Sequence, residues 1–169
     1  MSPKRHERTQ SRRIALQVLY AADIQNATVE AVMETKDLPT ATGIQRPASF
    51  ALVEKTSGDA SIDILPAYAL KLIRGVATHV SDLDAYVASV SENWALERIS
   101  SVDMEILHIA VYEMKYVAEV PVSVAINEAV DLAKEFGGED ESPKFVNGIL
   151  GKIALVLENE AATKGTTCR

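Results

Sequence analysis

Lys144-Phe145-Val146-Asn147-Gly148 puts a cation, an aromatic ring and an amide within four positions of one another. That set suits unpaired nucleic-acid bases, because a ring stacks on any base face. For Phe145 a plain core anchor stands equally beside the stacking reading. A second concentration lies at the other end of the chain, where Arg8, Arg12 and Arg13 open the first predicted helix behind Lys4 and Arg5. Cations at a helix N-terminus oppose the macrodipole and cost about 0.3–1 kcal/mol each. A local rule broken without visible compensation often marks a functional site. Backbone N–H groups, the positive dipole end and guanidiniums together suit a phosphate. Residues 1–13 therefore read as an anion-binding arm, against the alternative of a solvated tail.

Other chemistry finds little support. The chain has neither a G-x-x-x-x-G-K-[ST] nor a G-x-G-x-x-G pattern, so nucleotide cradles are not indicated. His6, His79 and His108 are scattered without H-E-x-x-H spacing, and His108, inside an apolar helix, reads as a packed and satisfied side chain. Glu139-Asp140-Glu141 lacks the alternating ligands and central glycine of a calcium loop and reads as a solvated turn. Cys168 has no partner for a disulfide and no neighbouring base. No catalysis, metal or cofactor is expected.

The elements that must position these residues are helical. Thr9 to Asn26 carries Ala15, Val18, Leu19 and Ala22 at helical spacing, and Thr28 to Lys36 forms a short second helix. Residues 37–60 hold Pro39, Gly43, Pro47 and Gly58 and read as an irregular loop. From Pro66 a stripe of Leu70, Ile73, Ala77 and Val80 begins one helix. Ser81-Asp82-Leu83-Asp84 resembles a capping box that starts another, with Leu83, Val87, Val90 and Trp94 inward. Ser91 to Arg98 is a connection. Ser100 caps a helix apolar on most sides, which marks it as central. Asp103 and Glu105 near its start are expected at the surface, where they favour the dipole. Pro121 opens the next helix, whose apolar stripe runs from Val122 to Phe136, with Asn127, Glu128 and Asp131 outward. Gly137-Gly138 ends it through a left-handed cap, and Ser142-Pro143 starts the last helix. Gly148 and Gly151, three residues apart, are expected to admit a close backbone. About seven helices in two small packed bundles follow, an all-α fold. The bounds are a basic arm over 1–13, one domain over 9–160 with subdomains of about 9–80 and 81–160, and a tail over 161–169.

Bulk numbers agree with a globular chain. Of 169 residues, 47% are hydrophobic, and no apolar run nears the roughly 20 residues a membrane helix needs. The basic N-terminus is not followed by an apolar segment, so it is no secretory signal. A lone cysteine fits a reducing, cytoplasmic setting. Five cations against Glu7 give residues 1–13 a charge of +4, so the rest of a chain of −7 carries −11. A basic arm on an acidic body points to local contact with a polyanion.

Three stretches resemble the NusB family of bacterial transcription antitermination factors. VPVSVAINEAVDLAKEFGGEDESPKFVNGILGKI is similar to its C-terminal signature, ERISSVDMEILHIAVYEM to the preceding helix, and RRIALQVLYAADIQ to its arginine-led first helix. The likeness spans about Arg8 to Leu157. The resemblance implies an all-α fold of two subdomains and a non-enzymatic role: binding boxA-containing RNA of ribosomal RNA leaders together with NusE, a small-subunit ribosomal protein. It also implies membership of an antitermination complex with RNA polymerase. The family's RNA-reading positions match Arg8 and Arg12, then Asp140, Lys144 and Phe145, with Asn147 adjacent. Lys4, Arg5 and Arg13 stand in where Thr9 and Gln10 replace basic residues of some relatives. The NusE-facing positions match Tyr20 and Asp103, with Glu105 beside it. Self-association as a homodimer is a further property such proteins can show. A helical protein–protein adaptor without direct RNA binding is the alternative.

Overall fold

A computed structural model describes residues 3–34, 65–91, 96–138 and 140–166. These form α1 (Pro3–Gln25), α2 (Val29–Glu34), α3 (Ala67–Val90), a 3-10 turn (Leu96–Arg98), α4 (Ser101–Tyr116), α5 (Val122–Phe136) and α6 (Glu141–Thr166). No strand occurs among the described residues, as the helical periodicity predicts. The predicted 37–60 loop, Trp94, Glu139 and Cys168 fall outside them. The chain divides into two compact units, Met1–Thr78 and His79–Arg169, with the division inside α3.

In the first unit, α1 buries Ala15, Leu16, Val18, Leu19, Ala21 and Ala22, and α2 adds Val29 and Val32. Burial of a Leu or Val side chain stabilises by about 1.5–3 kcal/mol. The helix starts at Pro3 rather than Thr9, so the basic arm is helical throughout. After α1, Asn26 takes φ 49°, a left-handed conformation that asparagine tolerates better than most residues. Thr28 caps α2, its Oγ1 accepting the Ala31 N–H at 3.2 Å. The first half of α3 buries Ala69, Leu72, Ile73 and Val76; of the predicted stripe of Leu70, Ile73, Ala77 and Val80, Ile73 alone is buried. Val80 is 40% exposed. The two stripes differ by about one residue, or about 100° around the axis, and packing selected the other.

The predicted break at Ser81 does not occur, because α3 runs unbroken from Ala67 to Val90. Val76, Leu83, Val87 and Val90 stay in phase on one buried stripe, and helix propagation is easier than renucleation. Asp82, freed from capping, accepts hydrogen bonds from Lys115 Nζ at 2.7 Å and Tyr116 Oη at 2.6 Å.

In the second unit, α4 is the central helix, buried continuously from Glu105 to Glu113. It packs on α5 and α6, which also pack on each other. Ser100 caps it as predicted, accepting the Asp103 N–H at 3.1 Å. His108 is buried and satisfied, with Nε2 2.8 Å from Asp84 Oδ1 and Nδ1 3.3 Å from Glu105 Oε2. Burial alone would lower its pKa, but the hydrogen bonds and charges of Glu105 and Asp84 outweigh that and raise it.

Three local expectations for the last two helices are corrected. Glu128 faces inward at 7% exposure instead of outward. Gly137 ends α5 in an extended conformation (φ −79°, ψ 177°), so its need for glycine is steric, not conformational. A Cβ there would lie 2.6 Å from the Ala133 carbonyl oxygen and 2.7 Å from Ser142 Cβ. Among the described residues, Gly148 and Gly151 meet nothing within 4 Å of an added Cβ, and both face outward. The predicted tail is helical as far as Thr166.

Candidate nucleic-acid interface

The basic residues of α1 differ in accessibility along the helix. Lys4 and Arg5 are exposed, Arg8 and Arg13 are half-buried, and Arg12 is only 2% exposed. Arg8 and Arg12, four residues apart on one helix face, both bring their guanidiniums to the Tyr68 ring of α3, at 4.9 and 5.9 Å from its centroid. Cation–π contacts of this kind are worth about 0.5–2 kcal/mol, more when desolvated. Arg12 is thus chiefly a packed residue, while Lys4, Arg5 and the outer part of Arg8 can meet a phosphate. Tyr20 lies half-buried farther along α1.

The second unit contains a pocket of about 640 Å³ where the start of α4 meets the turn into α6. Arg98, Ile99, Ser100 and Asp103 line one wall, and Gly138, Glu141, Ser142, Lys144 and Phe145 line the other. Its geometry follows from the sequence. The Ser100 cap fixes the first turn of α4. Glycine at 137 lets Ser142 press against the end of α5. The Ser142 hydroxyl then donates to Asp103 Oδ1, tying α6 to α4 across 39 residues of chain. Its position next to Pro143 predicts Ser142 as the cap of the last helix, but α6 begins one residue earlier and the hydroxyl is spent on Asp103.

The structure therefore joins three expected site residues, Asp103, Lys144 and Phe145, around one cavity. Lys144 is exposed and Phe145 half-buried, so Phe145 is neither a sealed core anchor nor a free ring. Asp103 and Glu105 do not reach the surface as expected, each being 9% exposed. Asp103 turns into the pocket wall and Glu105 turns to His108. Asp140 is exposed in the turn before α6, outside the pocket lining, and Asn147 is exposed on α6. Sequence reasoning missed Arg98, Ile99 and Ser100 as pocket residues. The available signal was the N-cap itself, since residues just before a cap flank the helix end.

It also missed an aromatic and charged cluster on α3, α4 and α6. His79 lies 4.2 Å from the Tyr116 ring and 5.8 Å from Tyr112. Tyr86 donates to Glu160 Oε2 at 2.7 Å. Partial burial pulls the Lys115 pKa down, but its hydrogen bond to Asp82 and its contact with Tyr86 prevail and raise it. The Asp82 carboxyl is held low by Lys115 and then Tyr116. Among the described residues no group of His, Cys, Asp and Glu could hold a metal ion, and no helix is long and apolar enough to cross a membrane.

Known proteins resemble the chain over nearly its whole length. Residues 9–155 match the NusB family. A transcription antitermination protein NusB from Nitratidesulfovibrio vulgaris is 36% identical over 95% of this chain and 94% of its own length. The protein of the same name from Desulforudis audaxviator is 37% identical over 87% and 92%. Among solved structures, T. maritima NusB superposes with a TM-score of 0.64 at 30% identity, covering 87% of this chain and 89% of that one. The fold is also that of a chain in the complex of antitermination factors NusB and NusE with dsRNA, with a TM-score of 0.66 at 21% identity over 89% and 98%. The expected all-α architecture is thus the observed one, and the chain belongs to the NusB family.

Proposed function

We propose that this chain is a non-catalytic transcription antitermination factor that binds boxA RNA of ribosomal RNA leaders together with NusE, within a complex containing RNA polymerase. The curated relatives carry the antitermination role in their names, and one structure of the same fold holds NusE and RNA. The observation in this chain that carries the reading is the pocket that brings Phe145, Lys144 and Arg98 to a single opening. A half-exposed ring flanked by two cations is a stacking platform with phosphate contacts at its rim. Lys4, Arg5 and Arg8 add sequence-independent phosphate contacts from α1. Arg12 and Arg13 support that helix, and Asp140 and Asn147 border the α6 side. Tyr20, Asp103 and Glu105 are proposed to serve the NusE contact, Glu105 through its hold on His108. The setting is cytoplasmic.

Photo-crosslinking of boxA RNA to the chain, with and without NusE, followed by mass spectrometry of the crosslinked peptides tests this reading. Crosslinks are expected on the peptide containing Phe145 and on the start of α1. Crosslinks absent from both peptides under both conditions would contradict it.

One observation favours self-association as a second reading. Gly148, Gly151 and Leu155 fall on one face of α6, the glycines in open space and Leu155 60% exposed. Native mass spectrometry of the chain alone reads the monomer-to-dimer ratio, and Leu155→Glu should lower any dimer signal.

A further inference from the structure

The pocket beside Phe145 has a feature that stacking alone does not use. Asp103 is a carboxylate more than nine-tenths buried in its wall. Its Oδ1 accepts the Ser142 hydroxyl, and no cation contacts it among the described residues. Arg98 and Lys144 line the same cavity without pairing to it. An ionised carboxylate offers about four lone-pair sites and only accepts. A buried acceptor of this kind is costly unless donors meet it.

We infer that this pocket receives one unpaired guanine, stacked against Phe145, with its Watson–Crick edge on the Asp103 carboxylate. The inference rests on the RNA-binding reading above. Guanine alone among the four bases presents two adjacent donors on that edge, N1–H and N2–H, spaced to meet the two oxygens of one carboxylate. Adenine and cytosine offer one amino group beside a ring acceptor. Uracil offers one N–H between two carbonyl oxygens, which a carboxylate repels. The cavity volume of about 640 Å³ admits a nucleotide, not merely a base edge. Arg98 and Lys144 are exposed at the opening and suit the flanking phosphates. Glu141 on the α6 wall disfavours phosphate there and leaves the cationic sides for the backbone. Asp103 so becomes a specificity-determining residue for RNA, beyond the partner contact proposed for it.

The test replaces each guanine of boxA RNA in turn by inosine, which keeps N1–H and lacks the 2-amino group. Binding to the intact chain with NusE is read by fluorescence anisotropy. One position should bind about tenfold more weakly, the size expected for a lost bidentate base contact. Asp103→Asn, checked for folding by its thermal melt, should bind guanine and inosine RNA alike. Equal affinity of the parent chain for every inosine RNA overturns the guanine assignment and leaves the RNA-binding reading standing. So does an inosine penalty that survives in Asp103→Asn. Because the inosine arm uses the unmodified protein, a poorly folded variant does not blunt the test. Absence of RNA binding by the parent chain, with or without NusE, sinks both readings.

Discussion

The two regions expected to meet RNA are built in opposite ways. On α1 five cations follow a helix whose inner end is sealed, so exposure falls from Lys4 and Arg5 to Arg12 at 2%. At the pocket the cations Arg98 and Lys144 stay exposed while the carboxylate beneath them is buried. The first arrangement attracts any phosphate backbone and cannot tell one base from another. The second offers a ring, a cavity and an oriented acceptor, the parts that discriminate. Charge in a sequence therefore locates an interface, whereas burial decides which charge touches the ligand and which holds the scaffold.

Five substitutions sharpen or break this contrast. The largest effect belongs to the pocket's scaffold. Gly137→Ala forces a Cβ to 2.6 Å from the Ala133 carbonyl oxygen and should destabilise the fold by about 3 kcal/mol, on the scale of overpacked sites. A thermal melt within a degree of the parent would show that the turn yields freely and that Ser142 does not depend on it. Next comes Arg12→Ala. Its buried guanidinium packs toward Tyr68, so truncation should cost about 1–2 kcal/mol of stability in chemical denaturation, while Arg5→Ala costs nothing measurable. Equal stability of the two variants would erase the distinction between packed and open arginines.

A smaller effect concerns His108, whose ring nitrogens face Asp84 and Glu105. Since its folded pKa is raised, the imidazolium contributes stability that is fully present below the ordinary histidine value of about 6.5. That contribution is lost as pH rises through the higher folded value. Denaturation midpoints of the parent should fall over this alkaline side relative to His108→Ala, whose profile lacks the step. A step of the opposite sign would mean that the histidine is neutral in the folded chain. Smaller still, and next only to the null effect of Arg5→Ala, is the loss in Arg8→Ala, about 0.5–1 kcal/mol in chemical denaturation from its half-buried cation–π contact with Tyr68.

Much of the fold was legible because helical periodicity and caps are local signals. Ser100, the apolar girth of α4 and most of the α5 stripe (Ala125, Ala129, Leu132 and Phe136) stand as the spacing predicts, while Val122 at its start is 38% exposed. The failures share a cause. Ser81 and Ser142 have the local chemistry of caps, but packing decided otherwise: α3 runs on through Ser81 along its buried stripe, with Asp82 bound to Tyr116, and the Ser142 hydroxyl goes to Asp103, 39 residues away along the chain. Gly137 was legible as a glycine turn but not as a steric necessity, because its neighbour is a side chain five positions on. The candidate site was legible in its parts, Lys144 and Phe145, and not in its assembly. No spacing rule links Arg98 to a ring 47 positions later; only the packing of α6 on α4 does.

The most direct measurement titrates boxA RNA and an unrelated single-stranded RNA against the parent, Arg8→Ala and Phe145→Ala across a range of salt concentrations, with NusE present. Arg8→Ala should weaken both RNAs alike and reduce the salt slope by about one. Phe145→Ala should lose about 1–3 kcal/mol on boxA RNA, leaving the slope and the unrelated RNA unchanged. Phe145→Ala binding boxA RNA as tightly as the parent would contradict the account.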